Sequence, residues 1–289
     1  MTDGSDSGAL WVVATPIGNL DDITLRARDV LARVDRIAAE DTRHTRTLLQ
    51  HHGISTPMIA LHEHNEGQAF ESVLKGIVRG EAVALVSDAG TPLISDPGYR
   101  LVRTARERGL PVFAVPGACA AIAALSVSGL ATDRFAFEGF LPPKPTARRA
   151  RIRALSAETR TLVLYESSHR IAATLDDLAD VLGGDRRAVL ARELTKLHET
   201  VLFLPLAELA ARVAADPNQQ RGEIVLLLAG HEVSDDERLA EGHRVLKILS
   251  PHLSPAKAAR LAAAISGAPR KALYLSADRG LKTEDRAED

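Results

Sequence analysis

The chain has one cysteine, Cys119, among 289 residues, which excludes an internal disulfide and a cysteine-based zinc finger. Aromatic residues make up only 3% of it, so few side chains are on hand to stack nucleobases. No apolar stretch approaches the ~20 residues that a membrane span needs, and no charged-then-apolar segment opens the sequence. A cytoplasmic protein with no membrane partner is therefore expected. Charge of one sign is also lacking: 36 Lys and Arg against 38 Asp and Glu leave a net −2, so no overall basic field announces nucleic acid. Two nucleotide signatures are missing, G-x-G-x-x-G and G-x-x-x-x-G-K-[ST], and NAD-dependent and P-loop chemistry are poorly supported.

What is present suits a globular protein, with 45% hydrophobic and 26% charged residues. The length predicts two domains and a small appendage. From residue 9 to 130, short apolar runs at Leu10-Ala14, Arg36-Ala39, Met58-Leu61, Ala82-Ser87 and Val112-Val115 read as buried strands. Helical patterns at Ile23-Val34, Gln68-Arg79 and Tyr99-Arg108 alternate with them, which predicts an α/β layer on a mainly parallel sheet. From 131 to 232 a second α/β unit is expected, with strands at Phe135-Glu138, Thr161-Glu166, Ala188-Arg192, Thr200-Leu204 and Glu223-Ala229, helices at Ile171-Leu182 and Leu206-Ala215, and a more mixed sheet. Residues 233–277 read as a small helical domain. There Ser254-Pro255 opens one helix, Ser266-Gly267-Ala268 turns, and Pro269 opens another. That outline fits a helix-turn-helix or a plain packing hairpin. The polar ends, 1–8 and 278–289, are expected to be disordered.

Chemistry concentrates in the loops after the strands, where ligands of such sheets gather. The richest is Ser87-Asp88-Ala89-Gly90-Thr91-Pro92-Leu93-Ile94-Ser95-Asp96-Pro97-Gly98. Gly90 permits a left-handed turn and close approach of a ligand. Asp96 is expected to cap the next helix, with Pro97 in its first turn. Thr15-Pro16-Ile17-Gly18-Asn19-Leu20 and Val115-Pro116-Gly117-Ala118 supply two more junctions, and the three outline a pocket.

Here a resemblance becomes specific. Ala14 to Leu20, Ala39-Glu40-Asp41-Thr42-Arg43, the Ser87–Gly98 loop, Pro116-Gly117 and Tyr165-Glu166-Ser167-Ser168-His169-Arg170, taken in order, resemble the tetrapyrrole-methylase superfamily. Gly139-Phe140-Leu141-Pro142, Arg192-Glu193-Leu194-Thr195-Lys196 and Arg221-Gly222-Glu223 extend the match. Within the superfamily the chain resembles the small-subunit (16S) ribosomal RNA cytidine 2′-O-methyltransferases. Ser168 departs from a frequent proline, and Cys119 from a frequent Ser or Thr.

The resemblance implies two α/β domains that form a cleft for S-adenosylmethionine, a small C-terminal helical domain and a homodimer. It implies cofactor contacts from Pro16, Ile17, Ala89, Gly90, Thr91, Ile94, Cys119, Ala120, Glu166 and Leu194. His62 and Asn65 resemble a family loop at the cleft and are expected to touch the RNA substrate.

Methylation of a ribose hydroxyl calls for alignment and for a base or polarising partner. Asp41, Glu166 and Lys196 are the catalytic candidates, each of which also reads as a structural ion pair. Arg43 is a candidate phosphate clamp, and His169 and Arg170, which follow Glu166, are further candidates for contact with the substrate. Arg148 and Arg149, in a basic run from Lys144 to Arg153, either grip phosphates or face solvent. His51, His52, His62 and His64 lie close in sequence, but none forms H-E-x-x-H and no metal site is expected. Two alternatives stand beside RNA methylation: methylation of a small tetrapyrrole carbon, and non-catalytic RNA binding through the terminal helical pair.

Overall fold

A computed structural model of the chain describes residues 8–61 and 66–275. The expected disordered ends lie outside them, apart from Gly8, as do His62 and Asn65. The chain divides into two compact units, one ending at Ala229 and one beginning at Gly230.

The first unit begins with an alternation of strands and helices: β1 (Ala9–Val13), α1 (Leu25–Arg33), β2 (Arg36–Ala39), α2 (Thr42–His51), β3 (Met58–Ala60), α3 (Glu66–Val78), β4 (Ala82–Val86), α4 (Tyr99–Glu107), β5 (Val112–Val115) and α5 (Ala120–Val127). The five strands pair in the order β3-β2-β4-β1-β5, all parallel. A parallel sheet covered on both faces needs apolar side chains on both. Accordingly Trp11, Val13, Ile37 and Ala84 pack on one face with α1 and α2, and Leu10, Ala38, Val83 and Leu85 pack on the other with Leu74 and Leu101.

The same unit continues with β6 (Phe135–Phe140), α6 (Pro145–Ala154), β7 (Thr161–Ser167), α7 (Ile171–Leu182), β8 (Arg187–Arg192), β9 (Thr200–Pro205), α8 (Leu206–Ala215) and β10 (Glu223–Leu228). Their order is β6-β7-β10-β8-β9. Only β6 and β7 run parallel; the other pairs are antiparallel. The outer face packs Leu162, Leu164, Leu190 and Leu226 with α7 and α8. The inner face packs Val163, Val189, Val225 and Leu227 against Ala121, Ala124 and Leu125 of α5 and against Ile17. The α5 core thus joins the loops of the first sheet to the second sheet.

The second unit holds α9 (Asp235–Leu249) and α10 (Pro255–Ser266), with helical backbone again over residues 270–275. Ser234 and Glu237 form a reciprocal capping box at the start of α9. Pro255 opens α10, and Gly267 ends it in the left-handed conformation. Val245, Leu246, Ala258, Ala259, Ala262 and Leu273 form its small core. Among the described residues no helix is long and apolar enough to cross a membrane.

Candidate active site

Three strand-to-helix loops of the first sheet are laced together. Thr15 and Gly90 exchange backbone hydrogen bonds at 2.9 and 3.0 Å. The Thr15 hydroxyl donates to Ser87 O at 3.3 Å, and the Thr91 hydroxyl donates to Ala118 O at 2.9 Å. Side-chain bonds with partners so far apart in sequence fix the loops where the β1, β4 and β5 strands end.

Between them and the inner face of the second sheet lies a cavity of about 380 Å³, within the range of small-molecule sites. Ile17, Ala89, Gly90, Thr91, Ile94, Cys119 and Ala120 line it from the first side. Glu166 and Leu194 line it from the second, with Phe140, Tyr165, Ser167, Ser168, Ala191 and Gly222 to Val225. Pro16 is buried beside Ile17 and is not part of the lining.

Asp96 also lines the cavity, which corrects its expected role. Gly98, at φ 114°, occupies the cap position, and α4 starts at Tyr99 with no side-chain cap. Leu93 and Ser95 both take left-handed φ, 77° and 69°, a strained choice for non-glycine residues. The loop therefore runs two residues past Asp96 before helix begins. Burial raises the Asp96 carboxyl above its ordinary range; Ser87 opposes that effect and Asp88 adds to it. Tyr165, beside Cys119, is pushed up to about 12 by burial and the nearby thiol, and its oxygen accepts from Ala121 N at 3.2 Å.

The proposed bases fare differently. Glu166 is buried and fully engaged: one oxygen accepts from Ser167 N at 2.7 Å, the other from the Thr174 hydroxyl at 2.7 Å and from Arg170 at 3.3 Å. Lys196 is held between Glu193 at 2.9 Å and Glu223 at 3.0 Å. Burial works to lower its pKa, but the two carboxylates outweigh burial and raise it, so it is a cation rather than a base. Asp41 caps α2 and accepts from Arg43; the Arg43 side chain and backbone bonds hold its carboxyl far below the usual range, so it is a weak base.

Two of the basic candidates are corrected too. Arg148 is buried against Asp177 at 2.7 Å, and Arg149 reaches Asp177 and Asp180 at 2.6 and 3.2 Å. α6 packs this face on α7, so these two arginines lock helices instead of facing a ligand. The Arg43 fork engages Asp41, and Arg170 donates to Leu141 O at 2.7 Å. His169 is exposed next to Ser168. One missed pair is His44 and Asp88, 3.1 Å apart; Asp88 also accepts from Asp41 N at 2.9 Å. Among the described residues no group of His, Cys, Asp and Glu is placed to hold a metal.

Residues 9–210 match the family model of Tetrapyrrole (Corrin/Porphyrin) Methylases, and residues 236–277 match the RsmI C-terminal HTH domain. The chain belongs to the tetrapyrrole methylase family. It is 57% identical to ribosomal RNA small subunit methyltransferase I of Xylella fastidiosa, over 93% of this chain and 99% of that one. The protein of the same name from Escherichia coli O157:H7 is 53% identical, over 93% and 94%. The solved structure of cobalt precorrin-4 methyltransferase shares the fold at a TM-score of 0.59, with 16% identity over 79% and 97%.

This tetrapyrrole methylase is thus a methyltransferase, with S-adenosylmethionine as its methyl donor. The cavity suits that donor. A Cβ at Gly90 would sit 3.3 Å from Ile17 Cγ2 and 3.7 Å from Ala118 O, so glycine keeps this wall flat. The lining includes no Lys or Arg, so no cationic side chain opposes a positively charged sulfonium there.

Proposed function

We propose that the chain transfers a methyl group to the 2′-hydroxyl of a cytidine ribose in small-subunit ribosomal RNA. The observation that carries this reading is the cavity of small and apolar loops with no Lys or Arg in its lining, in a chain similar along almost its whole length to proteins named ribosomal RNA small subunit methyltransferase I. Bound donor supplies an activated methyl group on a positively charged sulfur. Ile17, Ala89, Gly90, Thr91, Ile94, Cys119, Ala120 and Leu194 would hold it. Their laced backbones hold the cavity's shape before binding, and positioning of this kind supplies much of the rate of a two-reactant transfer. Glu166 fixes Thr174 and Arg170 behind the wall.

RNA is met by exposed groups: Lys144 before α6 and Arg153 on it, Arg46 on α2, and His169 beside the lining residue Ser168. Phosphate contacts by such groups make affinity fall with salt. The two sheets are read as two domains, 9–130 and 131–232, that share the cavity. A homodimer is expected, supported by exposed Phe113, Ile122 and Val127. Tritium from methyl-labelled donor should appear in small-subunit RNA and not in large-subunit RNA. Label in neither, with donor bound, would move the acceptor to a small molecule.

A further inference from the structure

The proposed transfer leaves the ribose proton without an acceptor: Glu166 is fully bonded, Lys196 is cationic and Asp41 is a weak base. Asp96 meets the need by position. It lines the cavity and makes no ion pair among the described residues. It stands between the two sheets, near enough that its charge acts on Glu40 of the first and on Tyr165 of β7.

Its loop is built to hold it there. Thr15 clamps Gly90, Leu93 and Ser95 bend left-handed on either side of Ile94, and Gly98 lies against Leu85, where a Cβ would come within 3.0 Å. From the far side β6 has a bulge at Gly139, whose Cβ position lies 3.3 Å from Ser95 Oγ. Strain held between two rigid walls beside a cavity marks a site that is positioned for use.

We propose that Asp96 is the catalytic base, its carboxylate taking the proton of the ribose hydroxyl that receives the methyl group. This rests on the methyltransferase reading above. In the step, the hydroxyl oxygen bonds to the donor's methyl carbon while its O–H bond breaks toward Asp96. The carbon–sulfur bond breaks with its electron pair kept by sulfur, leaving a neutral thioether, and protonated Asp96 passes its proton to water. The groups that face Asp96 are Glu40 and Asp88 from the first-sheet loops, Ser87 beside them, and Tyr165 from the second sheet. The carboxylates and burial favour a stronger base than an exposed aspartate.

The test compares the wild type with D96N and D96E in single-turnover methyl transfer to small ribosomal subunits across pH 5 to 8, with S-adenosylmethionine affinity and thermal melting of each. D96N should slow transfer about 100-fold or more, while melting and donor affinity stay near wild type. The wild-type rate should rise with pH along one deprotonation that D96N lacks and D96E keeps. A D96N protein with the wild-type rate and pH limb would overturn the proposal. So would a loss of donor affinity matching the loss of rate, which would make Asp96 a donor ligand. Wild-type protein that binds donor but labels no RNA would overturn the parent reading instead.

Discussion

The Thr174 hydroxyl donates to Glu166 Oε2 at 2.7 Å across the buried junction of β7 and α7. The carboxylate therefore anchors a cavity wall. E166A leaves the Thr174 hydroxyl without its carboxylate acceptor and Arg170 with only the backbone oxygens of Leu141 and Pro142, and should destabilise the protein by about 3 kcal/mol. E166Q keeps one acceptor oxygen and should cost less, about 1–2 kcal/mol. Urea unfolding separates the two; equal losses would argue that packing alone matters here.

Arg148 and Arg153 lie five residues apart on one basic helix and face different surroundings. R148A breaks a buried pair and should lower stability by about 3 kcal/mol, toward the lower end because Arg149 still neutralises Asp177. It should leave the salt dependence of RNA binding unchanged. R153A should do the reverse, lowering the slope of log affinity against log salt by about 1. A matching slope change in R148A would contradict the helix-locking role.

Gly18 meets the loop of Lys196. A Cβ there would lie 2.8 Å from Leu194 O, and Leu194 lines the cavity. G18A should push that loop outward and weaken S-adenosylmethionine binding about tenfold, or 1.4 kcal/mol, as read by calorimetry. Unchanged affinity would separate Leu194 from donor binding.

His44 should titrate above the ordinary histidine value because the Asp88 carboxylate bonds its Nδ1. A raised folded pKa stabilises the folded state below the unfolded value near 6.5, and that contribution fades as pH rises through the folded pKa. The effect on stability is small because the pair is exposed. NMR titration should show the His44 midpoint fall in D88N; an unmoved midpoint would remove Asp88 as the cause.

Most of the fold is legible in the sequence because its strands are short apolar runs between turn residues. β2, β5, α7 and α8 start and stop where the pattern predicts. Two of the helices that it leaves out escape it for physical reasons. α5, Ala-Ala-Ile-Ala-Ala-Leu-Ser-Val, is apolar nearly all round and shows no 3.6-residue stripe. α2 buries Thr45 with Leu48 and Leu49, so a threonine sits where an apolar residue would mark the helix.

The cavity loops were visible as glycine- and proline-rich junctions, and all the proposed cofactor contacts except Pro16 face one cavity. Asp96 was hidden because Asp followed by Pro imitates a helix cap, and only the left-handed Leu93 and Ser95 reveal that the loop continues. Arg148 and Arg149 of α6 are illegible for a related reason: their partners, Asp177 and Asp180, lie on α7, which composition cannot pair with them.

The measurement closest to the central claim identifies the methylated atom. Purified protein, labelled S-adenosylmethionine and small ribosomal subunits lacking the modification would be incubated, and the RNA digested to nucleosides. Label should elute with 2′-O-methylated cytidine derivatives. Label on a base carbon or nitrogen, or none in RNA despite donor binding, would contradict the assignment.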